Sequence, residues 1–376
     1  MQRRQILSAA AGLGAGLLAP RTRAQGNSIV LGQSAALSGP ASELGEQFKR
    51  GALLHFDRVN ARGGIGGRPI DLVSLDDGYE PDRCAANTRK LLERGVFALF
   101  GYIGTPTSLA ALPLATAAKT PFIAPFTGAE ALRAPFNRYA FHVRASYFDE
   151  TAAIVKQITS VGIQRVGVFH QNDSYGKAGL EGVVRALKPL KLEPAARGTV
   201  ERNTVAVDEA VQVILAANPG AIVMISAYKS CAAFIRAARK AGYGGNFYNV
   251  SFVGTQALAH ELGADARGVV VSQVMPYPFA PNTTVAGDYL AAGRAAEGDR
   301  FAPNYSSIEG YVAARVLTEA MRRPGAAASA DALVAALESL RDLNLGGFFV
   351  DFGPQKHTGS RFVEMTILTA EGRVRR

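Results

Sequence analysis

Val96-Phe-Ala-Leu-Phe100 runs into Gly101-Tyr102-Ile103-Gly104-Thr105-Pro106-Thr107-Ser108. A little further on, Pro121-Phe-Ile-Ala-Pro125 runs into Phe126-Thr127-Gly128-Ala129-Glu130-Ala131-Leu132. Each stretch reads as a short apolar strand driven into a hydroxyl-bearing turn that starts a helix. In a parallel α/β sheet such turns gather at the carboxyl edge of the strands, where ligands bind. Thr105 has the place of an N-cap, with Pro106 at the first helical position, so free backbone N–H groups beyond it point outward. A small anion, a carboxylate above all, is the guest such a helix start accepts. Each threonine also has a plain reading as a cap, and Thr127-x-x-Glu130 carries the spacing of a capping box. Two such turns side by side favour a site.

Outward from this pair, strands and helices alternate along most of the chain, which predicts parallel sheets with crossover helices. Ile29–Ser34 and Ile70–Leu75 read as strands. Between them Phe48, Ala52, Phe56 and Val59 share one helical face. Gly63-Gly-Ile-Gly-Gly67 precedes a strand and lacks the G-x-G-x-x-G order, so it is a connector and not a phosphate cradle. Pro81 opens a helix that Gly95 closes. A second series starts near Ser146, with strands at 165–170, 221–226 and 247–251 and helices at 175–187, 205–217 and 229–241. A third holds a strand at 269–274 and helices at 306–321 and 330–340. In the tail, 346–352 and 361–369 read as an antiparallel pair.

The N-terminus reads as an export signal. Arg3-Arg4 is followed by an apolar run to Ala19, then Pro20 and the basic Arg21-Thr22-Arg23-Ala24. Paired arginines, a short apolar middle and a small residue predict a twin-arginine signal peptide over residues 1–24, cleaved after Ala24. The apolar run is shorter than the ~20 residues that span a bilayer. With the leader go four arginines, taking the net charge from +10 to +6. That surplus is spread out, without a basic stripe and interleaved aromatics, so nucleic acid is not an expected partner. A mature chain of roughly 350 residues predicts two lobes. Cys84 and Cys231 are the two cysteines, expected as buried free thiols in different lobes.

Signatures of catalysis are missing. The five histidines are scattered, and His260-Glu261 has no second histidine four residues on. There is no G-x-S-x-G elbow and no Walker sequence. Asp76-Asp77 ends a strand, where neighbours point to opposite faces, so strand-end and turn chemistry is expected of it. No cofactor and no metal is expected.

Taken in order, Leu37-Ser38-Gly39-Pro40, Asn60-Ala-Arg-Gly63, Gly101-Tyr102-Ile103-Gly104-Thr105, Asp173-Ser-Tyr175-Gly176, Ser251-Phe-Val-Gly254 and Met275-Pro276-Tyr277 carry a resemblance. Over essentially the whole mature chain, the sequence resembles the type I solute-binding proteins of ABC importers, in the group that binds branched-chain amino acids. The resemblance implies two Rossmann-like α/β lobes joined by a three-crossover hinge, with the ligand cleft between them. Crossovers would fall near Arg144, Phe252 and Gly346. Lobe one would then combine 27–144 with 253–345, and lobe two 145–252 with 346–376. It further implies a periplasmic protein that hands its ligand to membrane permease subunits.

Carried onto matching positions, the resemblance implies that Tyr102, Thr105 and the Phe126-Thr127-Gly128 turn hold the ligand carboxylate. Tyr175 and Tyr228 would close over it from lobe two, with Tyr277 in the wall. Two positions depart from the pattern. Relatives that bind α-amino acids place an acid where Ser251 stands, and a hydroxyl where Gly128 leaves room. A buried ammonium without its counter-charge costs several kcal/mol, so an amino-free carboxylate is expected unless another acid, such as Glu309, substitutes. The alternative to a transport role is a ligand-sensing module of the same fold.

Overall fold

The computed structural model describes residues 28–376, so the expected export signal lies outside the described residues. The first sheet contains β1 (Ile29–Ala35), β2 (Ile70–Asp76), β3 (Ala98–Phe100), β4 (Phe122–Ile123) and β5 (Ala140–Phe141). Their order is β2-β1-β3-β4-β5, every pairing parallel. Helices α1 (Ser42–Ala61), α2 (Pro81–Glu93) and α3 (Thr105–Ala117) connect them. The face of α1 read from the sequence, Phe48, Ala52, Phe56 and Val59, is buried as expected. Pro81 sits in the first turn of α2, and Gly95 follows its end at φ 72°.

Lobe two repeats the design. After α4 (Tyr147–Ser160) come β6 (Val166–Gln171), α5 (Ser174–Leu187), β7 (Ala196–Val200), α6 (Asp208–Ala216) and β8 (Ala221–Ile225). Then follow α7 (Tyr228–Lys240), β9 (Asn246–Asn249), α8 (Thr255–Leu262) and β10 (Val270–Gln273). These strands lie in the order β10-β9-β8-β6-β7, all parallel, which is the pattern of the first sheet again. β8 is Ala-Ile-Val-Met-Ile with every residue buried, as a parallel strand covered by helices on both faces requires.

The remaining chain runs through α9 (Thr284–Glu297), α10 (Tyr305–Met321) and α11 (Ala330–Glu338). It ends with β11 (Leu343–Asn344), β12 (Phe349–Val350), β13 (Glu364–Leu368) and β14 (Val374–Arg375). α9 and α10 pack on α1, and so belong with lobe one. β13 pairs antiparallel with β10 and with β14, closing the edge of the second sheet.

Three expectations are corrected here. The stretch 253–274 belongs to lobe two, because β10 is the fifth strand of its sheet; the return crossover lies after β10 and not near Phe252. The segment 346–359 stays with lobe one. His142 N–H donates to the His357 carbonyl and Gly359 N–H to that of His142, both at 2.8 Å, so the last crossover follows Gly359. The tail strands do not pair with each other, since β12 takes β11 and β13 takes β10. Antiparallel partners are set by which edge is free, which local periodicity does not encode. Cys84 on α2 and Cys231 on α7 are buried free thiols, one in each lobe. No described helix is long and apolar enough to cross a membrane.

Candidate ligand site between the lobes

In each sheet the strand order reverses beside the first strand, and the crevice outside that reversal is where ligands lodge. In lobe one it lies between β1 and β3, and in lobe two between β6 and β8. Turns at the carboxyl ends of strands in both sheets meet beside these crevices. Lobe one contributes Tyr79, Thr105 and the Phe126-Thr127-Gly128 turn. Tyr147, Tyr175 and Phe252 come from the start of α4, the start of α5 and the turn after β9, and all of these side chains are buried. Phe252 is the hub. Its ring centroid lies 5.6 Å from Phe126, 5.9 Å from Tyr79 and 4.6 Å from Tyr175, and Tyr175 lies 5.4 Å from Tyr147.

A hydroxyl patch borders these rings. Thr105 Oγ1 lies 2.6 Å from Thr127 Oγ1, Thr127 donates to the Tyr147 hydroxyl at 3.4 Å, and Gln171 donates across the lobes to the Tyr79 hydroxyl at 3.3 Å. Burial pushes the Tyr147 hydroxyl up to about 12 and that of Tyr175 well above its ordinary value, so both stay protonated near neutral pH.

Glycines shape this patch. Gly104, at φ 94°, takes the N-cap position of α3, so the helix starts at Thr105 and not after it. A Cβ there would stand 2.2 Å from the Tyr79 ring. The cap expected of Thr105 is therefore not made, and its hydroxyl turns to Thr127. Thr127 forms no capping box with Glu130. Its Oγ1 accepts the Ala129 N–H at 3.2 Å, and a single 3-10 turn over Glu130–Leu132 follows. The room expected at Gly128 is filled by Tyr147. A Cβ on Gly128 would lie 2.6 Å from the Tyr147 amide nitrogen, which donates to the Gly128 carbonyl at 2.7 Å.

Beside the rings lies a buried charge cluster. The Arg144 side chain is 1% exposed, and its guanidinium carbon stands 4.8 Å from the Phe126 ring centroid. It donates to the Ser251 hydroxyl, and lies 3.6 Å from Glu150 and 3.5 Å from Glu309. Glu150 also accepts the Ser251 N–H at 2.7 Å, the Ser251 hydroxyl at 3.0 Å and the Ser272 hydroxyl at 2.6 Å. Burial raises the carboxyl of Glu309 to about 7 against the pull of Arg144. Glu309, weighed from the sequence as a substitute acid, is thus already paired with a protein cation. Among the described residues, no group of three or more His, Cys, Asp or Glu could hold a metal.

The family model described as periplasmic binding protein matches residues 28–372. The chain belongs to the type I periplasmic binding proteins of the branched-chain amino-acid family. The Leu/Ile/Val-binding protein of Escherichia coli K12 is 24% identical over 65% of this chain and 67% of its own length. The leucine-specific-binding protein of Salmonella typhimurium is 24% identical over 85% and 84%. Among solved structures, a possible leucine/isoleucine/valine-binding protein from Rhodopirellula baltica has TM-score 0.88 at 36% identity, covering 92% of this chain and 95% of its own. A substrate-binding periplasmic protein from Ralstonia solanacearum has TM-score 0.87 at 32% identity, covering 92% and 99%.

In this binding protein the tyrosines and Ser251 separate by role. Tyr175 joins the ring cluster, its helix capped by Asp173, which accepts the Tyr175 N–H at 2.9 Å. Tyr228 lines another interlobe crevice, of about 440 Å³, with Glu43 and Gln47 of α1, Gln256 and His260 of α8, and Asn304. Two expected contacts lie elsewhere. Tyr102 packs inside lobe one, its hydroxyl 3.1 Å from Thr88 of α2 and its ring 4.9 Å from Phe122. Residues in extended chain alternate faces, and Tyr102 takes the inner one. The Tyr277 hydroxyl donates to the Val374 carbonyl at 3.0 Å and its ring lies under Arg376, so it braces the C-terminal strand. Ser251 belongs to the charge cluster.

Sequence reading missed Tyr79, Tyr147, Phe252, Arg144 and Glu150 as site components. One signal was available for Tyr147. Ser146 and Asp149 form a reciprocal capping box that marks the start of α4 and so places that ring at a helix N-terminus. At the rim, Arg202 pairs with Glu80 at 2.8 Å, and Asn203 donates to Glu80 at 2.7 Å and to the Gly78 carbonyl at 3.1 Å. These contacts tie one lobe to the other.

Proposed function

We propose that this solute-binding protein is the extracytoplasmic receptor of an ABC importer, exported by its N-terminal signal. In this reading it encloses a small carboxylate between its lobes and presents the loaded form to a membrane permease, without transforming it. The observation that carries the reading is the pairing of the Thr105 and Thr127 hydroxyls, 2.6 Å apart at the start of α3, beneath rings drawn from both lobes. Hydroxyls and free N–H groups at a helix start suit a carboxylate, and the rings suit an apolar tail. The names of its relatives, Leu/Ile/Val-binding and leucine-specific-binding, support a ligand of that size.

A thermal-shift screen of amino acids and amino-free carboxylates tests this, because a ligand that binds only the folded chain raises its melting temperature. Hits confined to carboxylates, with micromolar or tighter affinity, about −8 kcal/mol or better, are expected. A screen in which sugars or cations shift the transition and carboxylates do not would reject the reading.

A further inference from the structure

The guanidinium of Arg144 is buried to 1% exposure; its Nε and Nη1 make no hydrogen bond among the described residues, and Nη1 has only the longer 3.5 Å ion pair to Glu309 Oε1. A buried donor without a hydrogen-bond acceptor is costly, so an acceptor supplied from outside the chain would recover that loss. Arg144 borders the candidate site directly. It stands over Phe126, whose neighbour Thr127 belongs to the hydroxyl patch and whose ring meets Phe252. Both carboxylates of the cluster already face this cation, Glu150 at 3.6 Å and Glu309 at 3.5 Å. Glu150 also accepts from Ser251 and Ser272.

We infer that Arg144 is a specificity-determining residue, and that the ligand is a carboxylic acid carrying a carbonyl close to its carboxylate, an α-keto acid with an apolar tail. This inference rests on the proposed carboxylate-binding function and sharpens it. An ammonium in this place would find a cation beside it and no acid free of one. A second carboxylate would crowd a third buried acid group around one guanidinium, which low local dielectric penalises. A neutral carbonyl oxygen accepts from the open Nε–H without adding charge. Tyr147 connects the two places, its hydroxyl accepting from Thr127 at 3.4 Å and feeling the charge of Arg144, which fits a carbonyl adjoining the carboxylate.

Calorimetric titration of the mature chain with two matched series tests the inference. One series is leucine, α-ketoisocaproate and isocaproate; the other is phenylalanine, phenylpyruvate and phenylpropanoate. In at least one series the keto acid is expected to bind about tenfold or more tighter than the plain acid, the size of a hydrogen bond to a charged group, with the amino acid weakest. In Arg144→Gln that keto-over-plain preference is expected to fall to near unity while the plain acid still binds. Equal binding of keto and plain acids would overturn the inference and leave the carboxylate reading standing, as would tightest binding of the amino acid. Failure of every acid to bind would take both down. A folded Arg144→Gln chain that keeps the keto preference would remove Arg144 from the role. Should that variant not fold, the native ligand series decides alone.

Discussion

Thr105 shows how one side chain changes employment when its neighbour is glycine. Gly104 adopts a φ of 94° that threonine would resist, takes over the cap position, and leaves the Thr105 hydroxyl to pair with Thr127. Thr105→Ala should therefore cost about 1–3 kcal/mol of carboxylate affinity, the worth of a donor to a charged group. Calorimetry reads this, and unchanged affinity would strike Thr105 from the site. Gly128 makes the opposite kind of contribution, by lacking an atom. A methyl there meets the Tyr147 backbone nitrogen at 2.6 Å, which cannot swing aside as a side-chain tip can. Gly128→Ala should destabilise the chain by about 1–3 kcal/mol through overpacking. An unaltered urea midpoint would show that Tyr147 can retreat without loss.

Elements position these residues by a repeated rule. Each sheet places its first strand beside the point where strand order reverses, so the β3–α3, β6–α5 and β8–α7 turns lie at the carboxyl edges of the two sheets. Two loops then meet across the rim, the β2–α2 turn with Gly78 and Glu80 and the β7–α6 loop with Arg202 and Asn203. Arg202 is 23% and Glu80 41% exposed, so the pair itself is worth no more than about 1 kcal/mol. In the proposed function it nevertheless joins bodies that separate to release ligand. Glu80→Gln combined with Arg202→Met should leave the folding midpoint within about 1 kcal/mol of native. Ligand release, followed by stopped-flow fluorescence, should become several-fold faster. An unchanged release rate would mean that the rim contacts do not hold the lobes together.

At the scale of the whole molecule, the charge cluster where the chain first leaves lobe one couples stability to pH. Burial lifts the Glu309 carboxyl from its ordinary 4.5 to about 7 despite Arg144. Between these values the folded chain holds a proton that the unfolded chain has released. Stability from this group is therefore greatest at low pH, declines as pH rises through that window, and is level above it. The stability of the native chain relative to Glu309→Gln in urea, followed from about pH 4 to about pH 8, should show this decline, because the shifted histidines and Asp77 contribute equally to both and cancel. A steeper slope in the variant would contradict the assignment. Arg144 comes from the first crossover, Glu309 from α10 of lobe one and Glu150 from α4 of lobe two, so the cluster spans both lobes.

Local chemistry in the chain determined a good deal by itself. Apolar runs, Pro81 and Gly95, the buried face of α1 and the alternation of strand and helix are set by interactions within a few residues, so the two-lobed α/β fold and the threonine-bearing turns were legible. Tertiary structure alone decided the rest. Whether Tyr102 faces the cleft or the core depends on the side of the sheet it meets. The place of β10 depends on a free edge beside β9, and the Arg144–Glu150–Ser251 cluster joins residues about a hundred positions apart. Contacts of that range leave no periodicity in the sequence. They are chosen by which surfaces remain to be buried once the local elements have formed.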